Sequence, residues 1–162
     1  MQSKINILAA LFVMATLAAC SLQAQTPAEP PAAPVPSQIV NARRVFVSNP
    51  NSEQDPRISK YFGGPDGLYN QFYADVKGSG RFEPVAAPTD ADLIFQVTMG
   101  LHPFVAGYAA LRLSVLDPKT NVLLWTISEP VDPAFLTKNA RKNIAVSLER
   151  LVDDLKALTP GK

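Results

Sequence analysis

Leu111-Arg-Leu-Ser-Val-Leu-Asp-Pro-Lys-Thr-Asn-Val-Leu-Leu-Trp125 is the stretch on which the reading of the fold depends. Two β-rich runs, Tyr108–Leu116 and Val122–Ser128, flank Asp117–Asn121. Proline presets a turn backbone and asparagine tolerates the left-handed conformation, so this pattern predicts an antiparallel hairpin. Pairing Leu116 with Val122 sets Val115/Leu123, Leu113/Trp125 and Leu111/Ile127 on one face. Arg112/Thr126 and Ser114/Leu124 fall on the other. One face is strongly apolar and the other mixed, as expected of a sheet that helices cover on one side only.

Working outward, Leu93–Met99 alternates strictly, with Leu93, Phe95, Val97 and Met99 on one face and Ile94, Gln96 and Thr98 on the other. A loop marked by glycine and proline, Gly100–Gly107, separates it from the hairpin. Upstream, Arg43–Ser48 is β-rich. Pro65-Asp66-Gly67 opens a helix with Asp66 as its expected N-cap, and Leu68, Tyr69, Phe72, Tyr73 and Val76 follow at helical spacing. Gly78 and Gly80 stop that helix. Phe82–Ala86 is a short run containing proline, which favours an edge strand. Downstream, Glu129–Pro133 cannot continue a central strand. Thr137 or Asn139 then caps a last helix whose Ile144, Leu148, Leu151, Leu155 and Leu158 form a continuous stripe. The predicted fold is an α+β two-layer sandwich of order β-α-β-β-β-β-α. Its sheet is mostly antiparallel, with about five strands and both helices on one face.

The chain of 162 residues suffices for one domain of this kind. Its first residues are organised differently. Lys4 precedes an uncharged, mostly apolar run from Ile5 to Ala19. A membrane-spanning helix needs roughly 20 such residues, so fifteen behind one lysine read as a signal peptide. Leu17-Ala18-Ala19-Cys20 looks like a bacterial lipobox, which would lipidate Cys20 and make it the mature amino terminus. Cleavage after Ala24 is the competing route, giving a soluble periplasmic or secreted form. Thr26–Pro36 carries five prolines in eleven residues and reads as an extended spacer. The expected organisation is a lipoprotein-type signal peptide over 1–20, a Pro/Ala-rich tether over 21–41 and one domain over 42–162. The protein is expected to be exported to the periplasm and anchored to the outer membrane through lipidated Cys20.

Removing the first twenty residues takes Lys+Arg from 15 to 14, against 14 Asp+Glu, so the mature chain is neutral. A neutral chain has no electrostatic case for nucleic acid. One cysteine excludes an internal disulfide and a thiolate metal site.

Three stretches together suggest relatives. Gly78–Val85 closes a helix and starts a strand, Ala91–Val97 opens the next strand, and Leu111–Trp125 is the hairpin. Over roughly residues 42–158, most clearly 78–128, the chain resembles the periplasmic α/β domain of penicillin-binding-protein activator lipoproteins, the curli secretion lipoprotein and the amino-terminal domain of TolB translocation proteins. It departs from them in the Gly100–Gly107 loop and in Asp55–Gly67. The resemblance implies a domain that binds other envelope proteins and does not catalyse a reaction. It assigns no functional residue.

The residues themselves offer no catalytic or metal constellation and no cofactor site. His102, the one histidine, lacks a nearby nucleophile. Asp90 and Asp92 fit a strand-entry turn, and Asp153-Asp154 a solvated helix face. Gly63–Gly67 precedes a helix but lacks the lysine of a phosphate loop. Lys138, Arg141 and Lys142 sit early in the last helix, where the helix dipole disfavours cations, and an anionic partner would explain them. Trp125 reads as core. The candidate partner-binding surface is the sheet face left by the helices: Arg112, Thr126, Gln96, Thr98 and Ser114, with Ile94 and Leu124. Either Gly100–Gly107 or Asp55–Gly64 could fold across it. The expected function is a membrane-tethered envelope lipoprotein that binds another envelope protein. The alternative is a homo-oligomeric structural component of the envelope.

Overall fold

The computed structural model describes residues 33–50, 61–101 and 109–159. Cys20, His102 and the segments 51–60 and 102–108 lie outside them. The chain divides at Pro34/Val35, and the unit from Val35 onward is the folded domain. Its order is α1 (Ser37–Asn41), β1 (Arg44–Ser48), α2 (Gly67–Gly78), β2 (Glu83–Pro84), β3 (Leu93–Leu101), β4 (Ala109–Leu116), β5 (Leu123–Val131) and α3 (Thr137–Leu158). A short 3-10 turn, Pro88–Asp90, precedes β3.

The five strands form one mixed sheet of order β2-β1-β3-β4-β5. β1 pairs in parallel with β2 and β3, whereas the long β3/β4 and β4/β5 ladders are antiparallel. Strand parity sends Val45 and Val47 to the same face as Leu93, Phe95, Val97, Leu111, Leu113, Val115 and Ile127. These pack with Leu68, Phe72 and Val76 of α2 and with Ile144, Leu148, Leu151, Val152 and Leu155 of α3. The expected two-layer α+β sandwich is the architecture observed.

Four local expectations change. First, the domain begins before residue 42. Ser37–Asn41 forms a helical turn, and Ile39 is 0% exposed within the core. An apolar side chain with a socket to fill outweighs the extended bias of the prolines before it. Second, β4 and β5 pair two residues away from the expected register: Val115 faces Trp125, Leu113 faces Ile127, Ser114 faces Thr126 and Arg112 faces Ser128. A shift of two preserves the faces, since side chains alternate with period two. A bulge beside Leu116 breaks that alternation at Leu123 and Leu124. Leu123, expected in the core, is 55% exposed, while Leu124 packs against the core.

Third, β5 continues through Pro130 to Val131. It can do so because it is an edge strand, where proline's missing N–H need not enter a ladder. Fourth, neither long helix has a side-chain cap. Asp66 precedes α2 but accepts instead from Asn49 Nδ2 at 2.7 Å, and Leu136 precedes α3. The Asp117–Asn121 turn is as expected. Asn121 adopts φ 56°, and the Lys119 amide donates to Asp117 Oδ1 at 2.7 Å.

Two side chains fasten the domain's amino-terminal edge. Arg81 donates to three carbonyls: Ala42 from Nη1 at 2.8 Å, Val40 from Nη2 at 3.2 Å and Thr159 from Nε at 3.0 Å. Its guanidinium also lies 5.0 Å over the Phe82 ring. Asp92 Oδ2 accepts from the Arg43 and Arg44 amides, each at 2.9 Å, which holds its carboxyl below the usual carboxylate range. Asp92 is thus a strand-entry staple, as its turn position suggested.

Candidate functional site

All three described helices contribute to the core on one face of the sheet. Register then fixes what the opposite face carries. Phe46, Ile94, Leu116 and Leu123 stand opposite one another across β1, β3, β4 and β5. Adjacent strands lie about 4.8 Å apart, so this apolar row runs about 14 Å. The next row is Ser48, Gln96, Ser114 and Thr126; the third is Thr98, Arg112 and Ser128. Gly100, Ala110 and Pro130 make a fourth, nearly flat row.

The face is graded rather than uniform. Ile94 and Ala110 are buried, Phe46, Ser48, Gln96, Thr98, Ser114 and Leu116 are half-buried, and Arg112, Leu123, Thr126 and Ser128 are exposed. Gln96 Nε2 donates to Ser48 Oγ at 3.4 Å, a long contact that leaves hydroxyl and amide capacity on the second row. The surface therefore places a short apolar ridge between Arg44, exposed and on the same face by parity, and two hydrogen-bonding rows that include Arg112.

All five polar residues singled out from the sequence, Arg112, Thr126, Gln96, Thr98 and Ser114, lie together on this face. Ile94 lies there as well. Leu124 does not belong with them, because the bulge sends it toward the core. The sequence reading missed Phe46, Ser48, Leu116, Leu123 and Ser128. Alternation in Arg44-Val-Phe-Val-Ser48 separates Phe46 from Val45 and Val47, but nothing local says that β1 lies beside β3.

The other sequence candidates are placed as follows. Gly63 and Gly64 have φ 81° and 137°, and a Cβ on Gly67 would fall 2.0 Å from the Phe62 carbonyl oxygen. Those glycines are explained by the tight entry into α2. Asp153 pairs with Lys156 at 2.6 Å on the exposed side of α3. Asp154 is not merely solvated. It hydrogen-bonds Glu129 of β5, whose carboxyl is pushed up by burial, by that bond and by the Asp154 charge, with Arg150 opposing. Asp75 of α2 is pushed up by burial and by Glu149, and its Oδ2 is buried without a hydrogen-bond partner among the described residues. Trp125 is half-buried against the core. Among the described residues, no group of three or more His, Cys, Asp or Glu is arranged to hold a metal ion, and no helix is long and apolar enough to cross a membrane.

No protein-family model and no curated protein sequence matches the chain. Among solved structures, it is similar to a variant PelC dodecamer from Paraburkholderia phytofirmans, at 14% identity and TM-score 0.42, over 67% of this chain and 86% of that one. It is also similar to a neuraminyllactose-binding hemagglutinin homolog from Helicobacter pylori, at 13% identity and TM-score 0.43, over 74% of this chain and 87% of that one.

Proposed function

We propose that this protein is a membrane-tethered envelope lipoprotein whose domain binds another envelope protein through the sheet face that no described helix covers, and performs no catalysis. The observation that carries the reading is the Phe46–Ile94–Leu116–Leu123 row lying beside hydroxyl, amide and guanidinium side chains. An apolar centre with a polar surround is the composition of a non-obligate protein interface. Arginine at its margin is a favoured hot-spot residue. The tether and the Cys20 anchor would hold the domain at a membrane while leaving it free to reach a partner.

Crosslinking in the native envelope, followed by identification of the captured protein, tests this. Arg112→Glu and Leu123→Ser should leave folding intact and abolish capture. Capture that survives Arg112→Glu, Leu123→Ser and Thr126→Lys would exclude the face.

One observation favours a second reading, the homo-oligomeric structural component. β5 is a nine-residue strand and ends the sheet order among the described residues. Such edges template pairing with another chain. Sedimentation of the native protein in detergent separates the two: a monomer sinks this second reading.

A further inference from the structure

We propose that Phe135 and Leu136, with Lys138 and Lys142, form a contact site for an anionic lipid surface, separate from the sheet face. Phe135 is 109% exposed and Leu136 66%, the two most exposed large apolar side chains among the described residues. They are consecutive and lead directly into α3. Phe135, Leu136, Asn139 and Lys142 line one shallow, open cleft of about 510 Å³.

The charge beside them has one sign. Lys138 and Lys142 are both exposed. Lys138 and Lys142 are one helical turn apart on the same side of α3, where like charges repel. The first turn of α3 holds no acidic residue. The nearest carboxylate in the sequence is Asp132, before the apolar pair, and its carbonyl accepts from Asn143 Nδ2 at 3.0 Å. An apolar tip that stands clear of the surface, rimmed by cations, matches a lipid interface: the tip enters the headgroup–acyl boundary and the cations meet phosphates. An acidic protein would meet the same cations but would need a socket shaped for a protruding phenyl ring. A bilayer needs none.

The test uses the full chain with Phe135→Trp, mixed with vesicles whose acyl chains carry bromine. The native chain has one tryptophan, Trp125, half-buried in the sheet, so the unsubstituted protein supplies the baseline. Because an amino-terminal anchor can hold the chain on any vesicle, the readout is quenching at position 135 rather than attachment. On vesicles containing phosphatidylglycerol, the indole at 135 should be quenched and its emission shifted to the blue. Lys138→Glu with Lys142→Glu should weaken binding of this site about thirtyfold or more, read as loss of that quenching, because two attractions to the anionic surface become repulsions. An unquenched indole would overturn the proposal. So would equal quenching on pure phosphatidylcholine vesicles or in the charge-reversed variant.

Discussion

Replacing Arg81 with methionine keeps a long unbranched side chain but removes the guanidinium over Phe82 and leaves the carbonyls of Val40, Ala42 and Thr159 without their shared donor. Hydrogen bonds to a charged group contribute about 1.5–3 kcal/mol each, and these three act as one unit, so Arg81→Met should cost about 2–4 kcal/mol in urea unfolding. Arg81→Lys should recover only part of that, because an ammonium cannot reproduce the planar fork. A loss under about 0.5 kcal/mol would mean the clamp is ornamental. Two carboxyls respond to pH with opposite sign. Asp92 is held low by two amides, so its contribution is present above about 3.8 and is lost as pH falls through its folded value. Glu129 is held high, chiefly by burial and then by Asp154. Its unfolded form releases its proton near 4.5, so stability is greatest below that pH and falls as pH rises through the folded value. Glu129→Gln should therefore raise the melting temperature at pH 7 and leave it nearly unchanged at pH 4. No gain at pH 7 would show that the pair with Asp154 is not strained.

The β4–β5 hairpin is the element on which burial and register can be separated by mutation. Leu113 is fully buried, so Leu113→Ala should cost about 2–5 kcal/mol. Arg112→Ala on the opposite face should cost under about 1 kcal/mol, and Leu123→Ser, more than half exposed, should cost as little. A large loss at Leu123 would place it back in the core, where simple alternation had it. That residue marks the limit of what the pattern reveals. Alternation placed Leu111, Leu113, Val115, Trp125 and Ile127 on the buried side and Arg112, Ser114 and Thr126 on the other. The pairing offset of two residues did not disturb this, because parity survives an even shift. A bulge adds one residue with no compositional mark, so Leu123 and Leu124 exchanged roles. Pro130 suggested a strand end because its tolerance depends on β5 lying at the sheet edge. The candidate face was legible for β3 and for the middle of the hairpin, and not at Leu116, Leu123 and Ser128 where the register and bulge decide. It was illegible where a parallel crossover sets the neighbour, which is why Phe46 and Ser48 were missed.

At the scale of the whole molecule, the boundary between tether and domain decides how much chain the fold needs. Five prolines in Thr26–Pro36 argue for extension through that stretch, and the same argument carried to residue 41 would make α1 dispensable. The packing argues otherwise. Ile39 is 0% exposed in the core, Val40 and Ala42 supply two of the three carbonyls that Arg81 holds, and Gln38 Nε2 donates to the Asp92 carbonyl at 3.2 Å. Cutting the chain at 43 removes a buried aliphatic side chain and also strips partners from the clamp, so the two losses fall on one cluster and need not add. Burial of Ile39 alone is worth about 2–5 kcal/mol by analogy with large-to-small core changes. For a domain of this size that corresponds to a fall of roughly 8–20 °C in Tm. A chain beginning at residue 35 should melt cooperatively at the temperature of the longer form, and one beginning at 43 should melt lower by that amount. Ile39→Ala in the longer chain should reproduce most of the fall, which separates the side chain from the backbone contacts. If the chain beginning at 43 melts with the others, α1 rests on the domain without stabilising it, and the tether extends to residue 41.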